Sequence, residues 1–123
     1  MSATVLIVDD DPEVVRTFAA WLQLQGYEVR TASDGEAALP QVRGVDAIIL
    51  DARMPILDGL GLLRRVRAED EDVPVAIVTG DYLIEDAILN EFQRLNAQIL
   101  FKPLWLDDLV ALAARLVNHA TPA

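Results

Sequence analysis

Short apolar runs, rich in β-branched residues, alternate five times along the chain with longer segments whose apolar positions recur every three or four residues. Thr4-Val5-Leu6-Ile7-Val8 is continuously apolar after its first residue, the pattern of a strand buried on both faces. Asp11-Pro12 opens a helix, with Asp11 as N-cap and Pro12 in the first turn. Val14, Val15, Phe18 and Leu22 share its apolar face and Gly26 ends it. Tyr27 to Thr31 reads as a second, shorter strand. Ser33-Asp34-Gly35 turns into a helix bearing Ala37, Ala38 and Leu39, which Pro40 kinks or shortens. Val45 to Leu50 is the third strand, followed by a loop with Pro55 and Gly59 and a helix through Leu60, Leu63 and Val66. Pro74 to Val78 is the fourth strand, and Gly80-Asp81 opens a helix carrying Leu83, Ala87, Ile88 and Leu95. Gln98 to Phe101 is the fifth strand and Trp105 to Val117 the last helix, patterned by Leu106, Leu109, Leu112 and Leu116. Asn118 to Ala123 reads as a frayed polar tail.

Strands this apolar, each followed by an amphipathic helix, require a parallel sheet covered on both faces. Right-handed crossovers leave few arrangements, and five such units predict an α/β flavodoxin-like (βα)5 domain of strand order 2-1-3-4-5. Strands one and three are then neighbours at a switch point, where ligands bind beyond the carboxyl ends. The expected domain covers residues 1–119, with 120–123 a disordered tail.

Length changes this picture little: 123 residues make one domain with a core of its own. A hydrophobic fraction of 53% excludes disorder, and the absence of cysteine suits a reducing compartment. No stretch approaches the roughly 18 apolar residues of a membrane span, so a cytoplasmic protein without membrane contact is expected. Ten basic against twenty acidic residues give a formal charge of −10, which argues against direct nucleic-acid binding by this domain. Much of that charge is simple solvation, as in the run Glu69-Asp70-Glu71-Asp72.

The charges at strand ends are different. Strand one ends in Asp9-Asp10-Asp11, strand three in Asp51, strand four in Thr79 and strand five in Lys102-Pro103. A parallel sheet brings all of these to one edge. Each alone has an ordinary reading: Asp11 as a helix cap, Thr79 as a strand-end hydroxyl, Lys102 as a surface lysine. Together they form a repulsive cluster, since two unit charges ~4 Å apart cost about 4 kcal/mol at an effective dielectric near 20. Lys102 offsets part of this and a divalent ion the rest. An all-oxygen set without His or Cys selects a hard cation, best Mg²⁺ with waters and a phosphoryl oxygen. A carboxylate beside such an ion, flanked by an ammonium and a hydroxyl, can accept a phosphoryl group.

Val8-Asp9-Asp10-Asp11, the segment Asp51-Ala52-Arg53-Met54-Pro55-Ile56-Leu57-Asp58-Gly59, Thr79-Gly80 and Lys102-Pro103 together resemble the hallmarks of response-regulator receiver domains of two-component signalling, the CheY-like superfamily. The similarity runs over about residues 3 to 119. It implies a phosphoacceptor switch and not an enzyme with external substrates, in which Asp51 takes a phosphoryl group from the phosphohistidine of a sensor histidine kinase or phosphotransfer protein. It further implies that Asp9, Asp10, Asp51 and the backbone carbonyl of Arg53 hold Mg²⁺, that Thr79 and Lys102 bind phosphoryl oxygens, and that the Lys102-Pro103 peptide is cis. The downstream partner is a separate protein or a fused effector, so the chain is either a stand-alone receiver or the front of a longer regulator, as a monomer or weak homodimer.

Departures from the family pattern qualify this. The aromatic switch residue common three positions before the lysine is Ile99 here, so its usual readout through Thr79 cannot operate. Arg53 and Asp81, at variable positions facing the site, carry opposite charges: either they pair across the cleft mouth and modulate access, or they are independent, with Asp81 an N-cap. Trp105 either packs on Leu109 or the fourth helix, the reading favoured here, or is exposed on an output face. A haloacid-dehalogenase phosphatase would need a second Asp where Arg53 stands, and a flavodoxin-like cofactor carrier needs a phosphate loop that does not follow strand one. The sole histidine, His119, falls in the expected tail, away from any phosphotransfer site. The alternative from another class is a degenerate receiver acting as an unphosphorylated adaptor.

Overall fold

A computed structural model describes residues 2–69 and 72–120, with side chains as far as residue 118. The strands are β1 (Thr4–Val8), β2 (Glu28–Ala32), β3 (Ala47–Leu50), β4 (Val75–Thr79) and β5 (Ala97–Phe101). The helices are α1 (Pro12–Leu24), α2 (Gly35–Ala38), α3 (Gly59–Ala68), α4 (Asp86–Arg94) and α5 (Leu106–Ala120). All strand pairs are parallel and the order is β2-β1-β3-β4-β5, as the alternation of elements predicts.

The two-residue period of the strands splits the core into two layers. Val5, Ile7, Ala47, Ile49, Ala76 and Val78 face α1 and α5, packing on Phe18, Leu22, Leu109, Leu112 and Leu116. Leu6, Val8, Ile48, Leu50 and Ile77 point the other way, onto Leu62, Leu63, Val66 and Phe92 of α3 and α4. Every residue of β1, β3 and β4 is buried, which is why those runs read as uninterrupted hydrophobic segments.

Several boundaries differ from expectation for local reasons. Pro40 does shorten α2, which gives way to a 3₁₀ turn at Leu39–Gln41. The helix expected from Gly80-Asp81 begins only at Asp86, with Glu85 at its N-cap. Asp81 accepts instead from the Leu83 N–H at 3.0 Å, closing a local turn that competes with helix, and Leu83 points to solvent at 90% exposure. Ile84 enters the core in its place. Trp105 is 67% exposed, against the favoured expectation of local packing: its N–H bonds the Asp108 carboxylate at 3.2 Å, so it precedes the helix and its ring leaves the packed face. The last helix continues through Asn118 to Ala120, where a frayed tail was expected. Residues 121–123, the rest of that tail, and Asp70 and Glu71 of the acidic run lie outside the described residues, as does the side chain of His119.

Candidate functional site

Asp9 and Asp10 follow β1, Asp51 follows β3, Thr79 closes β4 and Lys102 follows β5. Backbone bonds continue the sheet one step past the strand ends: Asp9 N–H donates to Ala32 at 3.2 Å, Asp51 N–H to Val8 at 2.9 Å and Lys102 N–H to Thr79 at 2.8 Å. These side chains are therefore aimed from backbone tied into the sheet. Behind Asp51 the chain returns through Asp58, whose carboxylate caps α3 by accepting from the Gly61 N–H at 2.9 Å. Only glycine fits at the next position: a Cβ on Gly59 would lie 2.5 Å from the Asp51 carbonyl oxygen and 2.9 Å from Ala52 Cα, both backbone.

One carboxylate oxygen each from Asp9, Asp10 and Asp51 lies within 4.8 Å of the others. Magnesium bonds of about 2.1 Å in an octahedron separate ligand oxygens by about 3 to 4 Å, so the spacing suits such an ion. Asp9 and Asp51 are buried and Asp10 is exposed, leaving one open side. Asp9 is held at both oxygens, Oδ1 accepting from the Asp11 N–H at 2.9 Å and Oδ2 from Lys102 Nζ at 2.8 Å. Each oxygen keeps a second lone pair for a cation.

The electrostatics follow from this crowding. Burial raises the Asp51 carboxyl from 3.8 to about 6; Lys102 opposes that rise, Asp9 and Asp10 add to it, and a hydrogen bond from the Arg53 backbone N–H lowers it again. Burial alone would weaken the Lys102 ammonium, but the hydrogen bond and charge of Asp9, with Asp51 and Asp11 behind it, raise its pKa. Thr79 is fully buried; its hydroxyl oxygen accepts from the Asp81 N–H at 3.1 Å, which leaves its own proton to donate. Arg53 and Asp81 do pair: Nε and Nη2 each stand 2.9 Å from Asp81 Oδ2. Asp81 is held below the usual carboxylate range first by the Leu83 backbone N–H and then by Arg53.

Two features escaped the sequence reading. Lys102 is the chain's only lysine; the other nine basic residues are arginine, a bias visible in the sequence. A compact ammonium suits a crowded carboxylate corner better than a planar fork. Tyr82 donates its hydroxyl to the Lys102 carbonyl and stacks on Phe101, with ring centroids 5.6 Å apart. Nothing in a polar loop tyrosine signals such a contact.

The family model for the response regulator receiver domain matches residues 5–114. The chain is a response-regulator receiver. Over 120 residues it is 38% identical to the transcriptional regulatory protein PrrA of Mycobacterium leprae, covering 96% of this chain and 51% of PrrA. It is 34% identical over 127 residues to the response regulator MprA of Mycolicibacterium vanbaalenii, covering 99% of this chain and 53% of that protein. The receiver thus spans about half the length of the curated relatives it matches. Among solved structures, the chemotaxis response regulator CheY4 of Vibrio cholerae superposes with a TM-score of 0.84 at 30% identity, over 94% of this chain and 99% of that one. Among the described residues, no helix of the receiver is long and apolar enough to cross a membrane.

Proposed function

We propose that the receiver stores a signal as an aspartyl phosphate on Asp51. An Asp51 oxygen bonds to phosphorus while the phosphorus–nitrogen bond of a donor phosphohistidine breaks, returning the imidazole to the kinase or phosphotransfer protein. Lys102 Nζ and the Thr79 hydroxyl are assigned to two phosphoryl oxygens, and Asp9, Asp10, Asp51 and the Arg53 carbonyl to Mg²⁺. That ion, when bound, neutralises charge on the transferring group. The observation that carries this reading is the convergence of three carboxylate oxygens within 4.8 Å, two of them on buried residues, with Lys102 on Asp9. Three carboxylates carry more negative charge than Lys102 alone offsets, which favours a further cation.

The receiver is proposed to act in the cytoplasm, without contacting nucleic acid itself at a formal charge of −10. Any transcriptional output would belong to a fused effector or a separate partner. Incubation with acetyl phosphate and Mg²⁺, followed by intact-mass measurement, tests the assignment: one phosphoryl group gained by the wild type and none by Asp51→Asn. A wild type that gains nothing would make the domain an unphosphorylated adaptor.

A further inference from the structure

Lys102 is gripped through its backbone from two sides by a single segment of chain. Its N–H donates to the carbonyl of Thr79 at 2.8 Å, and its carbonyl accepts from the hydroxyl of Tyr82, three residues further along. Between these anchors, Gly80 lies against the lysine stem, with the Lys102 Cδ 3.9 Å from where a Cβ would stand. The Tyr82 ring is pinned against Phe101, the residue before Lys102, at an interplanar angle of 25°. Tyr82 is nonetheless 65% exposed and Leu83 beside it 90%, so the loop is anchored in the core at Ile84 and not at the tyrosine. What fixes the part ahead of Ile84 is a set of specific bonds: Asp81 to Arg53 and to the Leu83 N–H, and Tyr82 to Lys102.

We infer that Tyr82 is a positioning residue, clamping the Lys102 backbone so that its ammonium stays over Asp9 and the Asp51 carboxylate. The reasoning is geometric. A lysine side chain has four rotatable bonds, and its rotamer freedom works against any single placement of its ammonium. Fixing the backbone on both sides of the Cα sets the point from which the side chain starts and the χ1 rotamers open to it, before a phosphoryl group arrives. The hydroxyl supplies the clamp and the ring only its approach, so the two are separable by substitution. The inference rests on the phosphoacceptor reading above, because it concerns how fast Asp51 is loaded.

The test is the rate of phosphoryl uptake from acetyl phosphate with Mg²⁺, measured in a double-mutant cycle. Tyr82→Phe keeps the ring and loses the bond; it is expected to slow uptake about fivefold, the rate equivalent of one neutral hydrogen bond. In a Lys102→Ala background the same substitution should change nothing further. An unchanged or faster rate in Tyr82→Phe, or an equal loss in both backgrounds, would overturn the clamp, the latter by revealing a merely structural role. Lys102 is the only lysine, so acylation of its amine by an N-hydroxysuccinimide ester can be timed by peptide mass spectrometry. Should uptake in Lys102→Ala be too slow to time, this labelling decides: several-fold faster modification in Tyr82→Phe supports the clamp, and an unaltered rate refutes it. Failure of the wild type to gain phosphate would instead sink the phosphoacceptor reading, while the labelling would still report on the clamp.

Discussion

Ile56 follows Pro55 in the loop after Asp51 with φ of 71°, a left-handed backbone that a β-branched residue adopts only under strain. The usual cost for an L-residue there is about 1–2 kcal/mol. Its side chain is 77% exposed and recovers little of this by burial. Replacing it with Asn, which tolerates that conformation, should raise stability by about 1 kcal/mol. Urea unfolding monitored by circular dichroism checks this: the midpoint should rise at unchanged slope. A fall in the midpoint would mean that the loop relaxes around Ile56 at no cost. The same loop contains Gly59, where the Asp51 carbonyl leaves no room for a Cβ, so one stretch carries both a forced glycine and a tolerated strain. Only the glycine was legible in the sequence, because it belongs to a motif. The strain at Ile56 depends on where the chain must go after Asp51, which no local pattern records.

At the scale of elements, the strands were the legible part. β1, β3 and β4 are buried on both faces, so composition alone marks them, and the residues that end them fall at one sheet edge once the order β2-β1-β3-β4-β5 is set. The segment between β4 and α4 was not legible. Leu83 and Ile84 are equally apolar neighbours, and only tertiary packing decides that Ile84 turns inward and delays the helix to Asp86. The Arg53–Asp81 pair fastens that segment to the loop after β3. Being half-exposed, it should contribute little to stability. Because Arg53 lies two residues after Asp51 and Asp81 two after Thr79, the lifetime of the proposed aspartyl phosphate is the informative quantity. Arg53→Ala and Asp81→Ala should each change that lifetime several-fold, and the double variant should match one of the singles. Multiplicative effects, timed by loss of radiolabel or by mass, would leave two independent surface charges.

At the scale of the whole molecule, the site is a charge cluster that the fold holds together against its own repulsion. The unfolded chain ionises Asp51 near 3.8, whereas the native state holds the proton until about 6. The folded form therefore binds more protons between about pH 4 and pH 6, and native stability falls as pH rises through that window, with no further loss from this group above it. At about 1.4 kcal/mol per pH unit, the accumulated penalty at neutral pH is at most about 3 kcal/mol. Asp51→Asn removes the charge while keeping the shape. It should be more stable than the wild type at pH 7.5 by up to about 3 kcal/mol, a difference that shrinks towards zero near pH 4. A divalent cation that binds only the native cluster stabilises the wild type by about 1.4 kcal/mol at ten times its dissociation constant. Titrating Mg²⁺ at pH 7.5 should therefore narrow the gap, since the amide of the variant is a weaker ligand than a carboxylate. Thermal unfolding of both proteins at pH 4.5 and 7.5, with and without Mg²⁺, reads all of these terms. A variant less stable than the wild type at pH 7.5, or a gap insensitive to both pH and Mg²⁺, would mean that Asp51 is solvated in the native state and that the cluster is not held together against its own charge.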